Sequence, residues 1–129
     1  MAEKIVLADT SILIDYFRKT DKNKSSLIVL YRQGYDFCIS AITEYEIYTG
    51  ATLQQIPYWQ NFLEKTEVLS FDRKIVSAAV TINRELKLKR KQINIADLFI
   101  AATAISNNLP FVTLNKKHFE RIDGLLLLE

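Results

Sequence analysis

The fold is decided by residues 4–11, which read KIVLADTS. Residues 4–8 form a short, mainly apolar run with β-branched side chains, and the acid and two hydroxyl residues that follow are typical of a helix start. Apolar residues then recur at helical spacing over residues 12–18. A strand that passes directly into a helix predicts an α/β unit whose strand belongs to a parallel sheet.

The rest of the chain continues this alternation. Further strands are predicted at residues 36–40, 67–71, 110–114 and 125–128, and further helices at residues 23–33, 40–50, 57–65, 73–89, 94–106 and 116–122. The strands at residues 5–7 and 111–114 are mostly apolar, as expected when both faces of a parallel sheet are covered. With 129 residues, 49% of them hydrophobic, and no linker, the sequence predicts a single domain over residues 1–129. Its fold class is α/β, a three-layer α/β/α arrangement around a central parallel sheet.

Scarce residue types exclude several kinds of site. The chain has one cysteine, Cys38, and one histidine, His118, so an intrachain disulfide, a cysteine-rich zinc site and a multi-histidine metal site cannot form. The three glycines are widely separated, which excludes phosphate-binding loops that need several close together. Carboxylates, hydroxyls, amides and basic side chains remain, and these favour a hard cation held by oxygen ligands.

Positive charge is concentrated in two places, although the net charge is only +2. The two clusters are Arg18, Lys19, Lys22 and Lys24, and Arg84, Lys87, Lys89, Arg90 and Lys91. Basic clusters of this kind bind the phosphate backbone of nucleic acids, and a solvated loop and a solvated helix end are the alternative interpretation. We predict that the second cluster contacts nucleic-acid phosphates through Arg84, Lys87 and Arg90.

The sequence shows no pattern of an export signal. The apolar run at residues 5–8 is shorter than the apolar core of a secretory signal, which has about 7–15 residues. No window approaches the roughly 18–20 consecutive apolar residues of a membrane span. Because a single thiol also suits a reducing environment, we expect a cytoplasmic protein with no membrane partner.

Three acids lie in apolar surroundings, where a carboxylate needs a partner. Asp9 ends the first strand, Glu46 lies in the helix after the second strand, and Asp97 lies in the first turn of the most apolar helix. The carboxyl ends of parallel strands form the ligand crevice of such sheets, so we expect the three side chains to converge. A buried carboxylate must become neutral, find partners or bind a cation.

Each acid also has a structural interpretation. Asp9 can cap the helix that follows it, Asp97 can complement the dipole of a helix capped by Asn94, and Glu46 can extend into solvent from a helix edge. A fourth acid, Asp15, is expected to make a local contact on its helix. We favour the functional interpretation because all three acids share an apolar setting near the start of an element.

Four segments resemble the motifs of a known family. They are residues 9–15 (DTSILID), 40–50 (SAITEYEIYTG), 95–104 (IADLFIAATA) and 111–125 (FVTLNKKHFERIDGL). In this order, and across nearly the whole chain, they resemble the motifs of PIN-domain ribonucleases. The last segment is similar to that of the family's toxin branch. Each motif alone is unspecific, but the ordered set is specific.

The resemblance implies a metal-dependent endoribonuclease of α/β/α fold. It implies that Asp9, Glu46 and Asp97 are catalytic and ligate Mg²⁺ or Mn²⁺, with Ser11 and Thr113 as supporting hydroxyls. It also implies the VapC-type toxin of a toxin–antitoxin pair, which cleaves RNA phosphodiester bonds with a metal-activated water. Such toxins are usually homodimers and are held inactive by a VapB-like antitoxin.

One position departs from the family pattern and leaves a second function open. Asn115, a supporting position, stands where a fourth acid is often found, and it supplies no charge. The alternative is therefore a catalytically degenerate PIN-like module that binds RNA or serves as a scaffold. A receiver domain and an aspartyl-phosphate phosphatase are disfavoured, because Asp9 has no acidic neighbour and Ser11 occupies the second position of the phosphatase motif.

Overall fold

In the computed structural model, which describes residues 4–128, strands and helices alternate along the chain. The strands are β1 (Lys4–Ala8), β2 (Tyr35–Ser40), β3 (Glu67–Leu69) and β4 (Phe111–Val112). The helices are α1 (Thr10–Arg18), α2 (Ser26–Arg32), α3 (Ala41–Gly50), α4 (Ile56–Glu64), α5 (Arg73–Lys89), α6 (Ile95–Ser106) and α7 (Lys116–Phe119). None of the helices within this range is long and apolar enough to cross a membrane.

The strands form one parallel sheet in the order β3-β2-β1-β4. Side chains of β1 alternate between its faces: Leu7 packs into one hydrophobic cluster, and Val6 and Ala8 pack into the other. The Leu7 cluster also contains the buried sides of α5 and α6, whereas the second cluster contains those of α1 to α4. Helices therefore cover both faces of the sheet, and the predicted three-layer α/β/α fold is confirmed.

The first strand passes directly into the first helix, as residues 4–11 predict. The backbone N–H of Asp9 donates to the carbonyl oxygen of Val112 (2.9 Å), so the end of β1 is held beside the end of β4. Ala8 is the register partner of Val112, which places Thr113 next to Asp9. Because β1 lies inside the sheet, Asp9 emerges at the centre of its carboxyl edge.

The helix predicted over residues 23–33 is wrong in its extent. A 3₁₀ turn at Lys22–Lys24 precedes a separate α2. Ser25 lies between them with extended backbone (φ −72°, ψ 150°), and its hydroxyl accepts a hydrogen bond from the backbone N–H of Ile28 (3.4 Å). A serine in this N-cap position starts a new helix, because its side chain replaces a missing backbone acceptor.

The strand predicted at residues 125–128 is also wrong. Leu127 forms a single parallel bridge to Phe111, with hydrogen bonds of 2.8 Å from Phe111 N to Leu126 O and from Leu128 N to Phe111 O. The pairing stops there because β4 itself has only two residues and offers no longer partner. The strands β3 and β4 and the helix α7 are likewise shorter than predicted.

Aromatic side chains gather near the amino ends of the strands. Their ring centroids lie 5.0 to 6.4 Å apart. This aromatic cluster comprises Tyr16, Phe17, Phe37, Tyr58, Trp59 and Phe62. Trp59 is the fully buried member of the cluster. A cavity of about 480 Å³ lies against other rings of the cluster and is bordered by Ile5 and Asp36 near the start of their strands.

The cysteine lies inside the fold, on β2. Cys38 is 1% exposed, and its thiol donates to the carbonyl oxygen of Val6 (3.7 Å). Burial, together with the negative charges of Glu67 and Asp36, raises the pKa of the thiol from 9.0 to about 11. The thiol therefore stays protonated at neutral pH and packs as a small apolar side chain.

Candidate active site

The structure brings the three acids singled out from the sequence into one pocket. Asp9 follows β1, Glu46 lies in α3 and Asp97 lies in the first turn of α6. All three line an open cavity of about 390 Å³ at the carboxyl ends of the strands, here called the acidic pocket. Its other lining residues are Thr10, Ser11, Ile14, Asp15, Leu114 and Asn115.

Hydroxyl groups hold one oxygen of Asp9 and leave the other free. Asp9 is 3% exposed, and its Oδ2 accepts hydrogen bonds from Ser11 Oγ (2.9 Å) and Thr113 Oγ1 (2.7 Å). Within residues 4–128, the other oxygen, Oδ1, accepts no hydrogen bond. Because every buried polar side-chain atom in this range has a partner, Oδ1 is not buried, and it opens to the pocket. Asp9 occupies the N-cap position of α1, as the structural interpretation predicts, but its side chain makes no capping bond, so its carboxylate does not serve as the cap.

The two hydroxyls beside Asp9 are themselves fixed by the loop after β4. Ser11 Oγ accepts a hydrogen bond from Leu114 N (3.1 Å), and Thr113 Oγ1 accepts one from Asn115 N (3.0 Å). Because a backbone donor occupies an acceptor site on each hydroxyl, its proton is directed to Asp9. Ser11 and Thr113, the predicted supporting hydroxyls, therefore lie beside Asp9 and orient its carboxylate.

Glu46 is oriented by a residue that sequence reasoning missed. Thr10 Oγ1 donates to Glu46 Oε1 (2.6 Å) and lies 3.0 Å from Thr43 Oγ1. Thr43 is buried in the first turn of α3, where its N–H donates to Ser40 Oγ (3.0 Å). Glu46 is thus tied to α1 and does not simply extend into solvent from a helix edge. In the sequence, Thr10 is indicated only by its position between Asp9 and Ser11, a second hydroxyl residue.

Asp97 is anchored at the start of α6 and carries an unfavourable charge. Asn94 Oδ1 accepts a hydrogen bond from Asp97 N (2.8 Å), and Asn94 Nδ2 donates to Asp97 Oδ2 (2.9 Å). His118 Nδ1 lies 3.7 Å from the same oxygen. Burial raises the pKa of Asp97, the charge of Asp9 raises it further, and Asn94 and His118 offset only part of the shift. The pocket therefore disfavours an ionised Asp97.

Two acids also make the structural contacts that the sequence predicts. Asp97 lies three residues after the capping Asn94, in the first turn of α6, as its structural interpretation predicts. The same side chain also lines the acidic pocket. Asp15 Oδ2 accepts a hydrogen bond from Ser26 N (3.0 Å) at the start of α2, and Asp15 Oδ1 lies 3.5 Å from Lys19 Nζ. Asp15 is thus committed to local contacts at the border of the pocket.

The donor set suits a hard divalent cation. Asp9 and Asp97 each keep one carboxylate oxygen that accepts no hydrogen bond from residues 4–128. Among these residues, no three acid, histidine or cysteine side chains form a complete metal cage. Mg²⁺ does not require one, since it binds through one or two carboxylates and keeps several waters. Asn115 borders the same pocket and offers an amide oxygen without a charge.

A second cavity, of about 580 Å³, is lined by basic side chains and is here called the basic groove. Its lining residues are Arg90, Lys91, Gln92, Lys117, Glu120 and Arg121. Of the residues predicted to contact nucleic acid, Arg90 lines the groove, whereas Arg84 and Lys87 are exposed on α5 and line neither cavity. Lys117 and Arg121 were missed because histidine and glutamate interrupt the positive run at residues 116–121.

The parallel sheet and the acidic pocket at its carboxyl edge define the class of protein. The PIN domain family matches residues 6–125, nearly the whole chain. The chain therefore belongs to the PIN-domain family, as its four sequence segments predict.

Its relatives define the branch of the family. The chain is 40% identical, over 93% of its length and 82% of the relative's, to Ribonuclease VapC1 of Methanocaldococcus jannaschii. It is 32% identical, over 92% of each chain, to the tRNA(fMet)-specific endonuclease VapC of Shigella flexneri. The DNA-bound VapBC structure of Salmonella typhimurium matches with a TM-score of 0.83 at 29% identity, over 98% of each chain. The predicted VapC-type branch is confirmed.

Proposed function

We propose that this VapC-type protein is a metal-dependent endoribonuclease and the toxin of a toxin–antitoxin pair. The acidic pocket carries the proposal, because Asp9, Glu46 and Asp97 reach it from three different elements. Relatives named ribonuclease and endonuclease VapC support the same activity. The reaction is hydrolysis of RNA phosphodiester bonds, and the products we expect are a 5′-phosphate and a 3′-hydroxyl.

Asp9, Glu46 and Asp97 line the pocket in which Mg²⁺ or Mn²⁺ would bind, with one or two of the carboxylates contacting the ion and the others holding its waters. When bound, such an ion activates a water at near-neutral pH and offsets the negative charge that develops on the phosphate. The carboxylates supply the anionic oxygens that these cations prefer. The charge of Asp9 raises the pKa of Asp97, and this repulsion between two acids that line one pocket supports a cation between them.

Polar partners orient each of the three carboxylates. These partners are Ser11 and Thr113 on Asp9, Thr10 on Glu46, and Asn94 on Asp97. Fixed partners decide which oxygen faces the pocket and reduce the rearrangement that cation binding requires. They are positioning residues, since they act through the carboxylates.

Cleavage of RNA by the purified protein tests the proposal. Structured RNAs are incubated with the wild-type chain in Mg²⁺, in Mn²⁺ and in EDTA, and an initiator tRNA is included because one relative is named for it. We expect cleavage with either ion and none in EDTA. Asp97→Asn should abolish cleavage, since asparagine offers no anionic oxygen.

The matched control is Asp36→Asn, which removes one carboxylate at the other end of the sheet. Asp36 is exposed, and its Oδ1 accepts a hydrogen bond from Phe37 N (2.8 Å), a bond that asparagine can also accept. This variant should cleave like the wild type. Equal cleavage by Asp97→Asn and the wild type would contradict the assigned site, and cleavage in EDTA would contradict the metal.

One observation favours the alternative function, a degenerate PIN-like module that binds RNA or serves as a scaffold. Asn115 borders the acidic pocket and supplies no negative charge there. If the purified chain binds RNA but cleaves none of the panel in either ion, the alternative is supported and the nuclease proposal fails.

We further propose that the chain acts in the cytoplasm as a homodimer inhibited by a VapB-like antitoxin. The solved VapBC complexes of similar chains support the antitoxin. Expression of the chain alone should arrest bacterial growth, and co-expression of its antitoxin should restore it. Light scattering of the purified chain should give twice the mass of one copy, and a monomer mass contradicts the dimer.

A further inference from the structure

We infer that the basic groove binds backbone phosphates of the RNA strand next to the bond that is cut. This inference rests on the proposed function and adds where the strand lies. The groove presents four cationic side chains, those of Arg90, Lys91, Lys117 and Arg121. They face a single carboxylate, that of Glu120.

The acidic pocket needs such a neighbour, because carboxylates repel phosphates. Asp9, Glu46 and Asp97 bring three carboxylates to this pocket, and none of its lining residues is basic. A cation bound there offsets the repulsion at the reacting phosphate, but the flanking phosphates carry one charge each. Affinity for the strand must therefore come from positive charge outside the acidic pocket.

Two contacts hold the walls of the groove together before any ligand binds. One wall is the connection from α5 to α6, and the other is α7 with the turn after it. Lys89 Nζ donates to Asp123 Oδ2 (2.8 Å), and Arg121 Nη1 donates to the carbonyl oxygen of Gln92 (3.3 Å). A groove with fixed walls loses little conformational entropy when it binds a strand.

Arg90 occupies a backbone conformation that ordinarily favours glycine. Its φ of 57° lies in the left-handed region, where it ends α5 with a hydrogen bond from its N–H to Lys87 O (3.1 Å). A side chain with Cβ costs about 1 kcal/mol or more in this conformation. The chain carries a long cationic side chain at this position, and that side chain lines the groove.

Both walls of the groove lead to Asp97. On the first wall, Gln92 is two residues from Asn94, whose side chain donates to Asp97. On the second wall, Lys117 adjoins His118, whose Nδ1 lies 3.7 Å from the same carboxylate. A strand lying in the groove therefore passes alongside the acidic pocket.

RNA binding measured in EDTA tests the inference separately from cleavage. The probe is a short fluorescein-labelled single-stranded RNA, titrated by anisotropy over a range of salt concentrations. The groove variant is Lys91→Gln with Lys117→Gln, because neither side chain forms a hydrogen bond or ion pair within residues 4–128. The control variant is Arg73→Gln with Lys74→Gln, which removes the same charge at the opposite end of α5, where both side chains are exposed.

We expect the groove variant to bind RNA more weakly and with less salt dependence. Each phosphate contact to a single strand contributes about 0.7 to the slope of log K against log salt, so two lost contacts lower it by about 1.4. At 0.1 M salt the same relation gives roughly 25-fold weaker binding. The control variant should keep both affinity and slope close to those of the wild type.

Glu120→Gln provides a gain of function that misfolding cannot mimic. Removing the one carboxylate of the groove should tighten RNA binding by up to about fivefold, the contribution of one charge in the same relation. The inference is overturned if the groove and control variants lose the same affinity, or if the groove variant loses none.

The same variants separate this inference from the proposed function. If the wild type binds RNA through the groove but shows no metal-dependent cleavage, the nuclease proposal fails and the groove assignment stands. If the wild type cleaves RNA and the groove variant keeps its KM, the nuclease proposal stands and the groove assignment fails. When both hold, the groove variant should raise KM and leave kcat nearly unchanged, since it touches no reacting atom.

Discussion

The two ends of the central sheet carry opposite kinds of side chain, charged carboxylates at one end and aromatic rings at the other. At the carboxyl ends of the strands, Asp9 and Asp97 stand close enough for one charge to raise the pKa of the other acid. At the amino ends, the aromatic cluster packs six rings together, and its buried Trp59 pairs with three of them. The first arrangement costs folding free energy, and the second contributes it.

This contrast teaches where the chain can tolerate an unfavourable site. Clustered like charges destabilise a fold, and proteins retain them where function requires them. The aromatic cluster lies at the far end of the same sheet, so its packing does not depend on the state of the acidic pocket. The two ends should therefore respond oppositely to substitution: activity should fail at one and stability at the other.

The largest effect should come from Asp9→Asn, at the acidic end. Loss of the buried carboxylate should lower the cleavage rate by about 1000-fold or more, since metal ions supply several kcal/mol of charge stabilisation. Thermal stability without metal should be equal or higher, because the repulsion with Asp97 is relieved. The measurements are the cleavage rate and the Tm in EDTA. A marked fall in Tm, with no effect of metal on the wild type, would show that Asp9 is structural.

The second effect should appear at the aromatic end, with Trp59→Ala. Truncating a buried tryptophan of this kind costs about 3–5 kcal/mol of unfolding free energy, because it leaves a cavity and removes ring contacts. Urea unfolding measures this loss. Trp59→Phe keeps a ring and should retain more of the stability. The cleavage rate per folded molecule should stay near that of the wild type, and a large loss in it would remove the contrast between the two ends.

A smaller effect concerns pH, since Asp97 has a raised pKa in the folded state. Between the ordinary value of 3.8 and the raised value, the folded state binds more protons than the unfolded state. The unfolding free energy therefore falls as the pH rises through this window, and the loss persists above it. Urea unfolding is measured in EDTA from acidic to neutral pH. The unfolding free energy of Asp97→Asn should rise relative to that of the wild type as the pH increases. Adding Mg²⁺ at neutral pH should stabilise the wild type more than the variant.

The control for this pH effect is Asp36→Asn, whose carboxylate is exposed and distant from the acidic pocket. The unfolding free energy of this variant should change with pH in the same way as that of the wild type. A stability difference between Asp97→Asn and the wild type that stays constant with pH would contradict the shift in the pKa of Asp97.

The smallest effect should come from Asn115, which borders the acidic pocket without a charge. Asn115→Ala should lower activity clearly less than Asp97→Ala does. Asn115→Asp should tighten Mg²⁺ or Mn²⁺ binding, because ligand charge tunes the affinity for hard cations. The measurement is the cleavage rate against metal concentration. An Asn115→Ala enzyme as inactive as Asp97→Ala would make the amide essential, and unchanged metal dependence in Asn115→Asp would place it outside the site.

Much of the fold was predictable because its signals are local. The N-terminal strand and helix follow from a run of apolar residues and a helix start, and the helix at residues 73–89 follows from regular apolar spacing. The errors arose where a single side chain or a single pairing strand determines where a helix or strand begins and ends. Ser25 divides a helix with its hydroxyl, and Leu127 forms a single bridge because β4 is too short to pair further.

The candidate site was predictable in its acids and less so in their partners. Asp9, Glu46 and Asp97 stood out because each is an acid among apolar residues, with Asp9 at a strand end, Asp97 at a helix start and Glu46 within a helix. Thr10 and the groove residue Lys117 did not stand out, since the importance of each depends on residues far away in the chain that the fold places beside it. The bond from Thr10 to Glu46, for example, joins α1 to α3, which α2 and β2 separate in the sequence.

The buried thiol on β2 has a practical consequence for labelling the protein with a fluorophore. Maleimides and other electrophiles react with the thiolate, and Cys38 is enclosed with a pKa of about 11. A cysteine introduced at an exposed position, as in Glu85→Cys on α5, would be labelled selectively without replacing the native one. A single fluorophore could then report RNA docking at the basic groove or the approach of a second copy, in a protein whose interior remains unaltered.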